Sequence, residues 1–167
     1  MVAGQLQSLI VGVADCLVSN DRHTSLITYA LGSCIAVAIH DPQAHVGGLL
    51  HFMLPESGGV RGKAEQNPYM FADSGIPLLF QRAYRAGADK RRLVVSIAGG
   101  AQVVDDQGLF NIGKRNYAAV QKLFRQAGVR IHAEAVGGTD SRTVRLNIGT
   151  GEVLLRTRGA QKQSLQS

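Results

Sequence analysis

Apolar residues in this chain fall mainly in short runs that are separated by turn-forming residues, a pattern typical of β-strands. The clearest pair of runs, residues 35–39 and 46–54, flanks Asp41-Pro42, where proline fixes φ and the aspartate can bond the local backbone. The pattern therefore predicts a β-hairpin. Cys34 lies just before the first run and His51 lies inside the second, so the hairpin would bring a thiol and an imidazole together.

Other apolar runs predict further strands. The run at 92–97 is apolar at nearly every position, which predicts a buried, central strand. The remaining strands are predicted at 9–18, 25–30, 129–136, 143–147 and 153–156. The polar, glycine-rich stretch at 55–66 has no periodicity and predicts a surface loop.

Two segments have helical signals. Asn67 is a candidate N-cap for a helix that runs to residue 86, but Pro77 predicts either a bend or a separate first part. Asn111 is a candidate cap for a second helix over 112–127, whose apolar residues recur at helical spacing and which ends at Gly128. Runs of strands beside two helices predict an α+β (α/β) fold in which mixed β-sheet carries both main helices on one side.

The chain has the composition of a folded domain. Hydrophobic residues make up 45% and charged residues 18% of its 167 residues. We expect a single domain over residues 1–158 and a disordered tail over 159–167. No basic n-region with a sustained apolar segment and no membrane-length apolar run is present, which predicts a cytoplasmic protein without membrane insertion.

The formal charge of +6 comes from basic residues spread along the chain without interleaved aromatic residues. This favours a basic surface, or steering of an acidic protein partner, over nucleic-acid binding. The two cysteines, Cys16 and Cys34, provide neither a disulfide framework nor a C-x-x-C zinc motif. We expect no metal or cofactor, and we expect Cys16 to be an inert buried residue.

Several motifs, in order, resemble the CheD family of bacterial chemoreceptor glutamine deamidases. They are T-x-x-L-G-S-C from Thr28 to Cys34, GGLLHFMLP at 47–55, IAGGA at 97–101 and NIGKRN at 111–116. The resemblance extends from about Val11 to Arg156 and implies an α/β/β layered sandwich. It also implies that Cys34 is a nucleophile, that His51 is its base and that Thr28 orients the imidazole.

Without the resemblance, Cys34 and His51 would more often be ordinary core residues. With it, we expect a neighbouring imidazolium to lower the pKa of Cys34, so that the thiolate attacks a glutamine carboxamide and forms a thioester. Amide groups of Cys34 and of the Gly32-Ser33 bend are candidate oxyanion donors. The double-glycine motifs lack Walker or dinucleotide-binding context and are interpreted as tight turns.

The resemblance implies two partners: the helical cytoplasmic domain of a chemoreceptor as substrate, and a CheC-type phosphatase. Arg115 and Phe52 are candidate partner contacts. The family's Met-aromatic pair is replaced here by Gln102-Val103. Two alternatives stay open: a non-catalytic regulator of the phosphatase or receptors, and a receptor methylesterase that uses the same thiol.

Overall fold

The computed structural model describes residues 6–58, 63–102, 111–158 and 162–165, and these form two five-stranded sheets and three α-helices. The strands are β1 (Gln7–Ile10), β2 (Asp15–Ser19), β3 (Thr24–Leu31), β4 (Ile35–Asp41), β5 (Val46–Phe52), β6 (Val94–Gly99), β7 (Ala133–Val136), β8 (Arg142–Asn147), β9 (Val153–Thr157) and β10 (Gln163–Ser164). The helices are α1 (Lys63–Gln66), α2 (Ala72–Arg85) and α3 (Ile112–Ala127). Short 3-10 turns lie at Pro68–Met70 and Lys90–Arg92.

The central sheet has the strand order β2-β5-β4-β6-β7. Its strands are antiparallel except for the parallel pair β6 and β7. The predicted hairpin is confirmed as β4 and β5, which pair from Ile35 opposite Phe52 to Asp41 opposite Val46. Asp41 Oδ1 accepts the backbone N–H groups of Gln43 at 2.9 Å and Ala44 at 3.1 Å, which closes the turn.

The outer sheet, with the order β1-β3-β8-β9-β10, packs on one face of the central sheet, and α2 and α3 pack on the other. Alternate residues of β4 separate the two cores, because successive side chains of a strand point to opposite faces. Ile35, Val37 and Ile39 join the helical core, whereas Ala36 and Ala38 join the core between the sheets. The layers are therefore helices, central sheet and outer sheet, as the resemblance implied.

The first predicted strand is wrong in one respect, since residues 9–18 contain parts of two strands in different sheets. β1 pairs in parallel with β3 in the outer sheet, and β2 pairs with β5 in the central sheet. Ala14 between them has φ of 56°, in the left-handed region, which ends the extended conformation. The alternation of apolar residues continues across this break and hides it.

The first predicted helix begins later than its sequence signals indicate. Asn67 does act as a cap, but of the 3-10 turn, where its side chain accepts the N–H of Tyr69. Phe71 is extended and separates this turn from α2, which continues through Pro77. The short helix α1 also lies inside the stretch that was predicted to be a loop.

The second helix, α3, has the predicted bounds and ends at Gly128 with φ of 67°. The predicted side-chain cap is wrong, because Asn111 is in the left-handed region and makes no capping hydrogen bond. The helix start is instead packed tightly: a Cβ at Gly113 would overlap the carbonyl oxygen of Gly100. This contact sets the distance between α3 and the end of β6.

Within the part of the predicted tail that the structure describes, β10 pairs antiparallel with β9. Val103, the second residue of the Gln102-Val103 pair, lies outside the described residues, which resume at 111. Within the described ranges, every helix is too short or too polar to cross a bilayer.

Candidate functional site

His51 and Thr28 meet between the two sheets. His51 lies on β5 and faces the outer sheet, as Leu49 does two residues earlier. Thr28 lies on β3 of that outer sheet, and both residues have 0% of their surface exposed. His51 Nδ1 and Thr28 Oγ1 are 2.8 Å apart. The packing of one sheet on the other therefore creates this contact, which neither sheet contains by itself.

The hydrogen bonds of Thr28 fix the imidazole tautomer. Thr28 Oγ1 is 2.7 Å from the carbonyl oxygen of Val11, which can only accept, so the hydroxyl donates its hydrogen there. The Thr28 oxygen must then accept a hydrogen from His51 Nδ1. Nε2 consequently has a free lone pair in the neutral ring, and it has no hydrogen-bond partner among the described residues. A general base needs such a lone pair.

Burial keeps this histidine neutral. Desolvation lowers the pKa of His51 from 6.5 to about 4, since the charged ring would lose its hydration between the sheets. The Thr28 hydroxyl orients the ring without adding a negative charge that would stabilise imidazolium. His51 is therefore neutral, and Nε2 carries no proton, at neutral pH.

Cys34 lies one residue before β4, in the bend that leads into this strand. It is two residues before Ala36, which is paired with His51. Consistent with this placement, Cys34 packs on the core between the sheets. Cys34 is only half-buried, whereas His51 and Thr28 are fully buried. Cys34 is thus the member of this group that is accessible from the surface.

The thiol is not activated in advance by a charged partner. Burial raises the pKa of the Cys34 thiol, while its own backbone N–H lowers it by a smaller amount. With His51 neutral as well, the expected thiolate–imidazolium pair is not the resting state of this structure. Cys16, the other cysteine, is 2% exposed and has its pKa raised to about 11 by burial, as expected for an inert residue.

The bend before Cys34 is held by hydrogen bonds to three successive carbonyl groups. Gly32 O accepts from Ala101 N at 2.9 Å, and Cys34 O accepts from Gly100 N at 2.9 Å. Ser33 O, between them, accepts from Asn116 Nδ2 at 2.9 Å. Each planar peptide unit directs its N–H away from its own C=O, so these bonds also fix the directions of the amides of Ser33 and Cys34.

The turn after β6 comes close to this bend because it consists of glycines. Gly99 has φ of 115° and Gly100 has φ of 61°, which confirms the tight turn predicted for this motif. A Cβ on Gly99 would overlap the carbonyl oxygen of Cys34. The second pair, Gly137 and Gly138, also has positive φ, and Gly137 N donates to Gly99 O at 3.0 Å.

The predicted partner contacts lie in different environments. Phe52 is 0% exposed and packs in the core between the central sheet and the helices, so the idea that it touches a partner is wrong. Its place on the helix-facing side follows from strand alternation after His51. Arg115 lies on α3 and is exposed. A role for Arg115 in partner binding stays a prediction.

Sequence reasoning gave no role to two groups that contact these residues. The carbonyl of Val11 fixes the Thr28 hydroxyl, but a backbone group leaves no signal in the side-chain pattern. Asn116 is 0% exposed and its Nδ2 bonds both Ser33 O and Met53 O at 2.9 Å. The sequence feature that could have indicated a role for Asn116 is its position: it is a polar residue on the buried side of α3, one turn before Val120.

Comparison with known proteins shows the family of this chain. A family model described as CheD chemotactic sensory transduction matches residues 53–157. The chain is 51% identical to a probable chemoreceptor glutamine deamidase CheD of Solibacter usitatus, over 97% of this chain and 96% of that protein. This chain belongs to the CheD family.

Two further CheD proteins match with similar coverage. A probable chemoreceptor glutamine deamidase CheD 1 of Syntrophus aciditrophicus is 48% identical, over 94% of this chain and 98% of that protein. The chemoreceptor glutamine deamidase CheD of Thermotoga maritima is 38% identical, over 92% of this chain and 94% of that protein. The CheD model match begins at Met53, after Thr28, Cys34 and His51, whereas these matches extend over most of the chain.

Proposed function

We propose that this protein is a chemoreceptor glutamine deamidase that hydrolyses glutamine side chains to glutamate and ammonia, with Cys34 as nucleophile. One observation carries the catalytic assignment: a buried hydrogen bond from His51 Nδ1 to Thr28 leaves Nε2 as an acceptor on the face that Cys34 shares. The substrate class comes from the names of the CheD relatives.

The reaction begins with removal of the thiol proton. Because both groups are neutral at rest, His51 Nε2 takes the proton as the Cys34 sulfur attacks the glutamine carbonyl carbon. The C=O double bond becomes a C–O⁻ single bond in the tetrahedral intermediate. His51 then returns the proton to the departing nitrogen, the C–N bond breaks, and ammonia leaves behind a thioester.

Water completes the cycle. His51 Nε2 accepts a proton from a water molecule whose oxygen attacks the thioester carbonyl. The C–S bond breaks, the thiolate regains the proton from His51, and the side chain leaves as a carboxylic acid that gives its proton to the released ammonia and becomes glutamate. The Thr28 hydroxyl keeps Nε2 directed at the reacting atoms through both halves of the reaction, because it holds Nδ1 in place.

Backbone amides at the bend serve as oxyanion donors. The three bound carbonyl groups of Gly32, Ser33 and Cys34 face the glycine turn and α3, which leaves the N–H groups of Ser33 and Cys34 directed elsewhere. The Cys34 amide lies beside its own sulfur, as its lowering effect on the thiol pKa indicates. A donor at that place is close to the oxygen of any carbonyl that the sulfur attacks.

The helical cytoplasmic domain of a chemoreceptor is the proposed substrate, and a CheC-type phosphatase is the proposed protein partner. The formal charge of +6 favours association with an acidic helical bundle. Arg115 is exposed at the start of α3, the helix that also supplies Asn116, and is a candidate contact for either partner.

The test is incubation of the protein with a receptor cytoplasmic fragment, followed by peptide mass spectrometry and measurement of released ammonia. We expect conversion of particular glutamines to glutamates by the wild-type protein and none by Cys34→Ala. Cys16→Ala is the matched control and should remain active. Binding without conversion would favour a non-catalytic regulator, and methanol release from methylated receptor would identify a methylesterase.

A further inference from the structure

We propose that Asn116 is a positioning residue for this reaction, whose carboxamide fixes both the peptide bond before Cys34 and the end of the strand that carries His51. The inference rests on the deamidase function proposed above. It gives a role to a residue of α3, an element that contains none of the three predicted catalytic residues.

A single amide group joins the two chain segments. Asn116 Nδ2 is 2.9 Å from Ser33 O and 2.9 Å from Met53 O, so each of its two hydrogens is donated to a carbonyl. Ser33 directly precedes Cys34, and Met53 directly follows the last residue of β5. The side chain is 0% exposed, so water does not compete for these bonds.

The bond to Ser33 acts on the Cys34 amide. Ser33 C=O and Cys34 N–H belong to the same planar peptide unit, in which the two bonds point in opposite directions. When Asn116 holds the oxygen, the hydrogen of Cys34 points away from α3. A hydrogen bond to the carbonyl also polarises the N–H of the same unit and makes it a stronger donor. Asn116 thereby directs and strengthens the proposed oxyanion donor.

The bond to Met53 acts on the imidazole. Met53 is two residues beyond His51, and Ser33 is one residue before Cys34. The Asn116 amide therefore links the two segments that carry the base and the nucleophile. A displacement of about 1 Å between such groups can cost on the order of 10²-fold in rate. The β-ladder ends at Ile35 and Phe52, so the bonds of Asn116 extend the constraint beyond the paired residues.

The remaining polar atom of Asn116 distinguishes it from an ordinary structural bridge. Its Oδ1 is buried and has no hydrogen-bond partner among the described residues. An unsatisfied buried acceptor is unfavourable and uncommon in native proteins. The contacts of this side chain with the described residues are therefore made by its two N–H donors, which fits a role in orienting peptide groups.

The test compares Asn116→Ala with Asn147→Ala. Asn147 is the matched control, since its side chain also makes two hydrogen bonds to backbone groups, from Gly149 N at 2.9 Å and Thr150 N at 3.1 Å. It is the last residue of β8, and the turn that follows it contacts His40, near the end of β4 opposite to Cys34. Both variants are assayed below their unfolding transitions, for deamidation of a receptor fragment and for alkylation of Cys34 by iodoacetamide across pH.

We expect kcat of Asn116→Ala to fall on the order of 10²-fold, with KM little changed. A fall of this size is typical of the loss of one oxyanion donor. The alkylation profile of its Cys34 should shift to higher pH, because the amide that favours the thiolate loses its alignment. Asn147→Ala should lose stability but keep kcat and the wild-type alkylation profile. If Asn116→Ala does not fold, Asn116→Ser, which keeps one small donor, is assayed for the same two changes.

Wild-type kcat and an unshifted alkylation profile in folded Asn116 variants would overturn the inference. So would equal losses of kcat in the Asn116 and Asn147 variants, since that result marks a purely structural role. Absence of deamidation by the wild-type protein would refute the proposed function instead. The alkylation profile would still decide whether Asn116 positions the Cys34 amide.

Discussion

His51 Nδ1 and Thr28 Oγ1 lie 2.8 Å apart, and the Thr28 hydroxyl donates its own hydrogen bond to the carbonyl oxygen of Val11 at 2.7 Å. This relay contains no carboxylate, so it selects a tautomer but stabilises imidazolium less strongly than a carboxylate would. It distinguishes the site from triads in which an aspartate stabilises imidazolium.

Replacement of Thr28 by valine should therefore impair catalysis although the shapes are similar. Thr28→Val leaves His51 Nδ1 and Val11 O without their partner, which frees the ring to rotate or to change tautomer. We expect kcat to fall by roughly 10²-fold, within the range that a positioned base contributes. Thr28→Ser keeps the hydroxyl and should retain most of the activity. Equal activity of the valine and serine variants would contradict the relay.

The buried histidine predicts a loss of stability in mild acid. The pKa of His51 is about 4 in the folded protein and 6.5 in its ordinary state, so the unfolded chain binds the proton first as pH falls. The contribution of neutral His51 to the free energy of unfolding is fully present above about pH 6.5. It is lost as pH falls towards 4, by about 3 kcal/mol in total.

Urea unfolding at a series of pH values measures this effect. His40 is buried too and its pKa is also lowered by desolvation, so the contribution of His51 is obtained by difference. His51→Gln removes the titrating group, and its stability should vary less between pH 6.5 and 4 than that of the wild-type protein. Parallel curves for the two proteins would show that His51 is not buried in neutral form.

The two cysteines should differ sharply in reactivity. Cys34 is half-buried, whereas Cys16 is 2% exposed with its pKa raised to about 11 by burial. Brief treatment with iodoacetamide should label Cys34 alone and abolish deamidation, as judged by peptide mass spectrometry. Cys34→Ser should take up no label in the folded state. Labelling of Cys16 at the same rate would contradict the structure.

Gly99 should not tolerate a side chain. A Cβ there would overlap Cys34 O, and φ of 115° is unfavourable for any other residue. We expect Gly99→Ala to displace the Cys34 carbonyl and to lower kcat by at least roughly 10-fold. Gly128→Ala is the control, because Gly128 also has positive φ, at 67°, but nothing lies within 4 Å of its Cβ position. It should lose stability and keep its kcat.

Asp41 should matter for stability and not for catalysis. Its side chain is 0% exposed, pairs with Arg92 at 2.9 Å and accepts the backbone N–H of Asp89 at 2.8 Å. These donors hold the pKa of Asp41 well below its usual range. Asp41→Asn removes the charge of a buried carboxylate whose partner Arg92 is about one-third exposed, so the free energy of unfolding should fall. Deamidation per folded molecule should stay unchanged, and a fall in kcat would contradict this separation.

The sequence alone was sufficient for the elements that depend on local pattern. The β4–β5 hairpin followed from apolar runs around Asp41-Pro42, and α3 from helical spacing that ends at Gly128. Local pattern failed at 9–18, because alternation continues through Ala14 while the strands on its two sides enter different sheets. It also assigned Asn111 a capping bond that the backbone there does not allow.

The sequence motifs by themselves indicated Cys34, His51 and Thr28 as candidate catalytic residues, since residue type and spacing carry the family's pattern. Only the tertiary structure decided their states. Packing of the outer sheet on β5 desolvates His51 and brings it to Thr28, which makes the resting imidazole neutral where the motif had suggested an imidazolium. Packing of α3 on the bend likewise gives Asn116 its two carbonyls. Desolvation and hydrogen-bond direction depend on residues distant in sequence, so no single stretch of the chain encodes them.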